Sequence, residues 1–216
     1  MGAVKSVYSC QTCGAQSPKW IGKCPACGEW NTYVEEIVEK KQTTGKLAAR
    51  VSGNQPLTLD RIETLQNKRI PTDIAEFNRV LGGGIVPGSL ILLGGDPGIG
   101  KSTLALQLAL ALKNRKILYT SGEESLQQIK LRAERLKTVN NECMFLSETS
   151  LENIIAQTEQ IQPEILIVDS IQTLSTDMIE SSPGSVSQVR ECTSVILKLA
   201  KKTGTAVILI GHITKE

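Results

Sequence analysis

Aromatic residues are scarce in this chain, and histidine is scarcer: two tryptophans, three tyrosines, two phenylalanines and one histidine stand among 216 residues. A surplus of either charge is also missing, since 24 basic residues face 22 acidic ones for a formal net charge of +2. That balance leaves no overall electrostatic footprint for nucleic acid, so contact with phosphates has to come from local basic groups or from avidity. No apolar run approaches the ~18 residues of a membrane-spanning helix, and no signal-like apolar block opens the chain. No membrane partner and a cytoplasmic location are the natural expectations. The hydrophobic share of 40% still suffices for a real core, and the length suits one ordinary domain with a small one beside it.

The most informative stretch is Gly94-Gly95-Asp96-Pro97-Gly98-Ile99-Gly100-Lys101-Ser102-Thr103, set between an apolar run at 90–93 and another at 104–112. Strand, glycine loop and helix in that order form the arrangement that holds a nucleoside triphosphate. Gly95, Gly98 and Gly100 let the backbone curl. The loop Gly95, Asp96, Pro97, Gly98, Ile99, Gly100, Lys101, Ser102 and Thr103 is then the expected phosphate cradle. Its N–H groups point at phosphate oxygens, and the helix N-terminus adds its positive dipole end. Lys101 is expected to reach the β- and γ-phosphates, and the Ser102 hydroxyl to hold Mg²⁺.

Four of the six cysteines form two pairs, Cys10-x-x-Cys13 and Cys24-x-x-Cys27, separated by ten residues and each followed by glycine. Two such knuckles make a four-thiolate site for which zinc is the expected ion, with iron as the lesser alternative. Disulfides would need an oxidising compartment, and a redox motif would need one pair inside a βαβ unit. Cys143 and Cys192 stand alone in apolar surroundings and read as small core residues. Tyr8, Trp20, Trp30 and Tyr33 crowd into the same early segment, with Lys5, Lys19 and Lys23 as its only charges before Glu29. These rings either pack around the metal or stack on single-stranded bases, and packing is the preferred reading.

Three units follow: a metal module over 1–34, a charged, turn-rich flexible tether over 35–56, and a nucleotide domain over 57–216. In the last, helices are expected at 73–81, 101–112, 126–136, 151–160 and 186–202. Strands are expected at 90–93, 116–120, 143–146, 165–169 and 206–210, with a polar loop at 173–184. Such alternation implies a parallel sheet covered by helices on both faces, with chemistry at the strand C-terminal ends. Asp169 ends a buried strand and suits the Mg²⁺ partner expected behind a phosphate loop. Glu123 and Glu124 end another strand; either could position an attacking water, or stabilise the next helix as an acid in its first turn. His212 ends the last strand, where a polar group could sense a γ-phosphate.

Taken together, the two Cys-x-x-Cys-Gly knuckles, Gly-Asp-Pro-Gly-Ile-Gly-Lys-Ser-Thr, Ser-Gly-Glu-Glu-Ser and Gly-His-Ile-Thr-Lys-Glu closely resemble the bacterial RadA (Sms) family of RecA-like ATPases. The resemblance spans essentially the whole chain. It implies a RecA-like P-loop fold, ATP bound between the subunits of a homo-hexameric ring, and a motor on single-stranded DNA. It also implies branch migration in recombinational repair, with the RecA recombinase as a partner. By position it assigns Glu123 as the hydrolytic glutamate, His212 to the γ-phosphate-sensing position, and 173–188 to a DNA-binding loop with Arg190 as a candidate contact. The family continues with a further DNA loop, a Lys-Asn-Arg-Phe-Gly motif and a protease-like domain. Its resemblance therefore implies a truncated chain, with the phosphate-loop strand at an exposed edge and poor turnover. A nucleotide-gated scaffold that recruits a recombination partner is the alternative from another class. A phosphotransferase of the circadian-clock kind is disfavoured by the four-cysteine unit.

Overall fold

Two sheets organise the described residues, a three-stranded one with strands in the order 16–17, 5–10, 33–38 and a five-stranded one in the order 90–95, 206–212, 165–169, 117–121, 143–147. The computed structural model describes residues 5–38, 58, 61 and 69–212. The small sheet is antiparallel and comprises β1 (Lys5–Cys10), β2 (Gln16–Ser17) and β3 (Tyr33–Val38). β3 takes in residues 35–38, so the expected tether does not begin at 35. Glu35 and Glu36 look like linker charges but pair with Tyr8 and Val7 of β1. The rest of the expected tether, 39–56, lies outside the described residues.

The large sheet is parallel throughout. In chain order its elements are α1 (Ala75–Val80), β4 (Leu90–Gly95), α2 (Lys101–Ala111), β5 (Ile117–Ser121), α3 (Leu126–Leu136), β6 (Cys143–Ser147), α4 (Leu151–Ile161), β7 (Ile165–Asp169), α5 (Val186–Thr203) and β8 (Ala206–His212). β5, β7 and most of β8 are buried along their whole length, so their apolar runs need no polar alternation. Alternate side chains go to opposite faces. Ile117, Tyr119, Ile165, Ile167 and Ile208 pack with α2 and α3, while Leu118, Leu166, Val168, Val207 and Leu209 pack with α4 and α5. Cys192 is fully buried in the second layer, and burial pushes its thiol up to about 11; Cys143, half-buried, is pushed up to about 12 for the same reason. Both therefore remain protonated packing residues.

Serines start three of the helices. Ser125, Ser150 and Ser185 each accept a backbone N–H from the third residue of α3, α4 and α5, and Ser125 forms a reciprocal box with Gln128. α2 starts differently. Its cap is Gly100, at φ 94°, with no side chain capping the first turn. The N–H groups of that turn remain available to an outside acceptor.

Several element boundaries differ from expectation by one or two residues. β8 runs to His212 because it pairs with β4 all the way to Gly95. Within the expected polar loop, Leu174 and Thr176 are buried, and Gln188 donates to the carbonyls of Thr176, Ile179 and Ser181. One amide side chain thus ties down residues 176–181, so half of the loop is fixed rather than free. β4 is an edge of the five-stranded sheet, as expected, and Leu92 is largely exposed there.

Candidate nucleotide-binding site and metal centre

Parallel pairing brings four strand ends to one place. Gly95 of β4 stands opposite His212 of β8, and Ser121 of β5 opposite Asp169 of β7. The glycine loop rises from the first of these ends. Gly98 and Gly100 sit at φ 78° and 94°, where residues with a Cβ are strained. Lys101 is buried and its ammonium donates to the carbonyls of Gly95 and Asp96, 2.8 Å each. Its Nζ therefore lies at the mouth of the same loop.

Asp169 is 3% exposed and both its oxygens are engaged. Ser102 Oγ donates to Oδ1 at 2.9 Å and Tyr119 OH to Oδ2 at 2.6 Å. Arg132, reaching in from α3, donates to Tyr119 OH at 3.3 Å and stands 3.9 Å from Asp169. Burial, followed by the charge of Asp169, raises the Tyr119 phenol far above its usual range, so it remains a donor.

The two neighbouring glutamates have different partners. Glu124 forms an ion pair with Arg132 at 2.6 Å, which draws it toward α3. Glu123 faces the loop cluster instead. Ser170 Oγ donates to its Oε1 at 2.6 Å, and His212 Nε2 lies 3.4 Å from the same oxygen. Gln172 Nε2 donates to the His212 carbonyl at 3.1 Å. His212 Nδ1 and Gln172 Oε1 are buried with no hydrogen-bond partner among the described residues. Both belong to the strand-end cluster around Glu123. The turn before Glu123 is close-packed: a Cβ at Gly122 would run into the Thr173 hydroxyl.

The structure thus brings together Lys101, Ser102, Asp169, Glu123 and His212, which were singled out in sequence. It adds Tyr119, Arg132, Ser170 and Gln172, which were not. Arg190 is exposed near the start of α5, with its guanidinium 3.1 Å from where a Gly14 Cβ would stand. One zinc knuckle therefore rests on α5.

In the small sheet the four cysteines converge, with all their Sγ atoms within 4.8 Å of one another. Cys10 and Cys27 are 3.7 Å apart, and Cys13 and Cys24 are 3.6 Å apart. A tetrahedron with Zn–S bonds of ~2.3 Å has edges of ~3.8 Å, so the spacing fits that ion. The backbone N–H of Cys27, with the Tyr33 hydroxyl among further donors, holds Cys24 down to about 6. Although the Glu29 backbone N–H favours its thiolate, burial and the neighbouring sulfurs push Cys27 up to about 12. Four thiolates so close together need a cation. Cys10, Cys24 and Tyr33 form the buried centre, with Tyr8 and Ile21 packed against it. Trp20 and Trp30 do not join them; they are 53% and 67% exposed. Packing around the metal, the preferred reading for these aromatics, applies to the tyrosines alone.

The family model of the AAA domain matches residues 55–216, three quarters of the chain. The chain belongs to the AAA domain family. Residues 8–35 match the rubredoxin metal binding domain. Across its full length the chain is 50% identical to the DNA repair protein RadA of Bacillus subtilis and 48% identical to that of Streptococcus pyogenes. Over 97% of its length it is 46% identical to the DNA repair protein RadA of Listeria monocytogenes. It spans about half the length of these curated relatives, 48%, 48% and 46% respectively. Among solved structures, a KaiC-like protein of Pyrococcus horikoshii matches with a TM-score of 0.54 at 19% identity, over 69% of this chain and 72% of its own. A DnaB-like replicative helicase matches with 0.57 at 14% identity, over 69% of this chain and 44% of its own. At those identities the likeness concerns the fold: a mostly parallel P-loop sheet. Among the described residues, no helix is long and apolar enough to cross a membrane.

Proposed function

We propose that the chain binds and hydrolyses ATP as part of a DNA repair protein whose turnover is stimulated by single-stranded DNA. The observation that carries the ATP reading is the start of α2. Alone among the four long helices described around the sheet it lacks a side-chain cap, and it follows a glycine loop with Lys101 and Ser102 beside a buried Asp169. Phosphate oxygens complete the open N–H groups there. Lys101 exchanges its two carbonyl contacts for the β- and γ-phosphates. Mg²⁺, when bound with the nucleotide, would be held by Ser102 with Asp169 behind it, and supplies charge neutralisation for the phosphates.

Glu123 then orients and deprotonates the attacking water. Its Oε1 already accepts from Ser170, which fixes the carboxylate, and it is the glutamate that Arg132 leaves unpaired. His212 reports the γ-phosphate to the segment containing Gln172, a role supported by its position beside Glu123 and opposite the first glycine of the loop. Action on DNA, a homo-hexameric assembly, branch migration and partnership with the RecA recombinase are proposed from the likeness to RadA proteins. The segment 173–188 with Arg190 is the proposed DNA-contacting region of this domain. The test is ATP hydrolysis with and without single-stranded DNA, in the chain and in Glu123→Gln. The proposal expects slow but DNA-stimulated turnover that the substitution lowers by ~10²-fold or more while nucleotide binding persists. Equal turnover in the two proteins would remove Glu123 from the reaction.

A further inference from the structure

Why does the metal module keep both of its largest apolar side chains in water? The ribbon's small centre is already filled by the sulfurs, Tyr33, Tyr8 and Ile21. Trp30 is held at the surface by the second knuckle, and Trp20 is exposed beside it. Lys23 and Trp30 form an antiparallel bridge, closed by Cys24 N–H to Glu29 O at 2.8 Å and Asn31 N–H to Gly22 O at 2.7 Å. The indoles converge on Gly22: a Cβ there would stand 3.6 Å from the Trp20 ring and 3.8 Å from that of Trp30. Lys23 Nζ lies 5.5 Å from the centroid of the Trp30 ring, and Lys19 is exposed beside Trp20.

We propose that Trp20 and Trp30, flanked by Lys19 and Lys23, form a stacking site for single-stranded nucleic acid on the zinc ribbon. It is separate from the nucleotide site and from the 173–188 segment. Two neighbouring exposed indoles offer π surface that any base can use, and the two ammonium groups attract the phosphates that accompany the bases. A protein-binding hot spot is less consistent with the surroundings. Such spots sit in well-packed apolar pockets, whereas lysines border these rings and Val34 is the ribbon's one further large exposed hydrophobic residue among those described. With an overall charge of only +2, hold on a polyanion has to come from local sites of this kind.

The two residues are the chain's only tryptophans, so indole emission reports this patch alone. The experiment titrates the zinc-loaded chain with an oligothymidylate of about 20 nucleotides at low salt, followed by tryptophan fluorescence. The proposal expects saturable quenching, with affinity falling about tenfold in Trp20→Ala and, read from the remaining indole, in Trp30→Ala. Zinc retention in both variants shows that the ribbon is still folded. Emission that stays constant while zinc is bound overturns the proposal, as does equal quenching by dextran sulfate, which has charge but no bases. Repeating the titration in Lys101→Ala keeps the questions apart: quenching there survives failure of the ATP reading, and loss of quenching in the parent chain leaves ATP uptake untouched.

Discussion

Replacing Tyr119 with phenylalanine removes one oxygen from the centre of the nucleotide site and leaves the packing in place. The ring is fully buried and tilted against Phe145, with centroids 5.7 Å apart, and Phe keeps that contact. The change is the loss of the 2.6 Å hydrogen bond to Asp169 Oδ2 and of the weaker 3.3 Å one that the hydroxyl accepts from Arg132. Asp169 is 3% exposed, so water does not readily replace the donor, and Arg132 at 3.9 Å is too far to do so without moving. A hydrogen bond to a charged group contributes ~1.5–3 kcal/mol. For a domain of this size that corresponds to a fall in Tm of about 3–12 °C. Thermal unfolding by circular dichroism measures it. With Asp169 less firmly held, the Mg²⁺ concentration needed for half-maximal nucleotide binding should rise as well. A Tyr119→Phe protein as stable as the parent, with unchanged Mg²⁺ dependence, would refute the idea that the phenol positions the carboxylate.

Further expectations follow from single contacts. Glu124→Gln weakens the ion pair with Arg132 and should alter ATP turnover by no more than a few-fold; a loss as large as that of Glu123→Gln would show that the two glutamates have been assigned the wrong way round. Gly122→Ala should destabilise by about 1–3 kcal/mol, measured by urea unfolding, because the new methyl meets Thr173. At Glu148 the backbone N–H of Ser150, then the Asn153 amide and the Thr149 N–H, hold the carboxyl below the usual range. A carboxyl lowered in this way stabilises the fold above its unfolded pKa, and that contribution disappears as pH falls through its folded pKa. Glu148→Gln should therefore lower Tm at neutral pH, with the two melting curves converging in acid; a constant gap across pH would contradict the cause given.

The features legible in sequence were those written locally. The glycine loop, the Cys-x-x-Cys knuckles and the continuous apolar runs each lie within a few residues, so element type and order followed. The residues that were missed owe their roles to register between distant strands. Tyr119 reads as one more apolar residue of β5, and only the pairing of Ser121 with Asp169 brings its hydroxyl to the carboxylate. Ser170 and Gln172 look like ordinary loop residues until β7 and β8 lie side by side, although their position directly after a strand-ending Asp was the signal available. Likewise, no local pattern separates tyrosines that face the sulfurs from tryptophans that do not. That distinction arises because Tyr8 and Tyr33 lie on paired strands of the ribbon, while Trp20 and Trp30 lie outside them. The strand at 35–38 was hidden by two glutamates, whose partners on β1 are twenty-seven and twenty-nine residues away.

Isothermal titration of the folded chain with ATP in the presence of Mg²⁺ tests the central claim most directly. Saturable uptake of one nucleotide per chain is expected, lost or greatly weakened in Lys101→Ala and undisturbed in Glu124→Gln. Absence of binding in the parent chain, or binding that ignores Lys101→Ala, would mean that the open N-terminus of α2 is not a phosphate site.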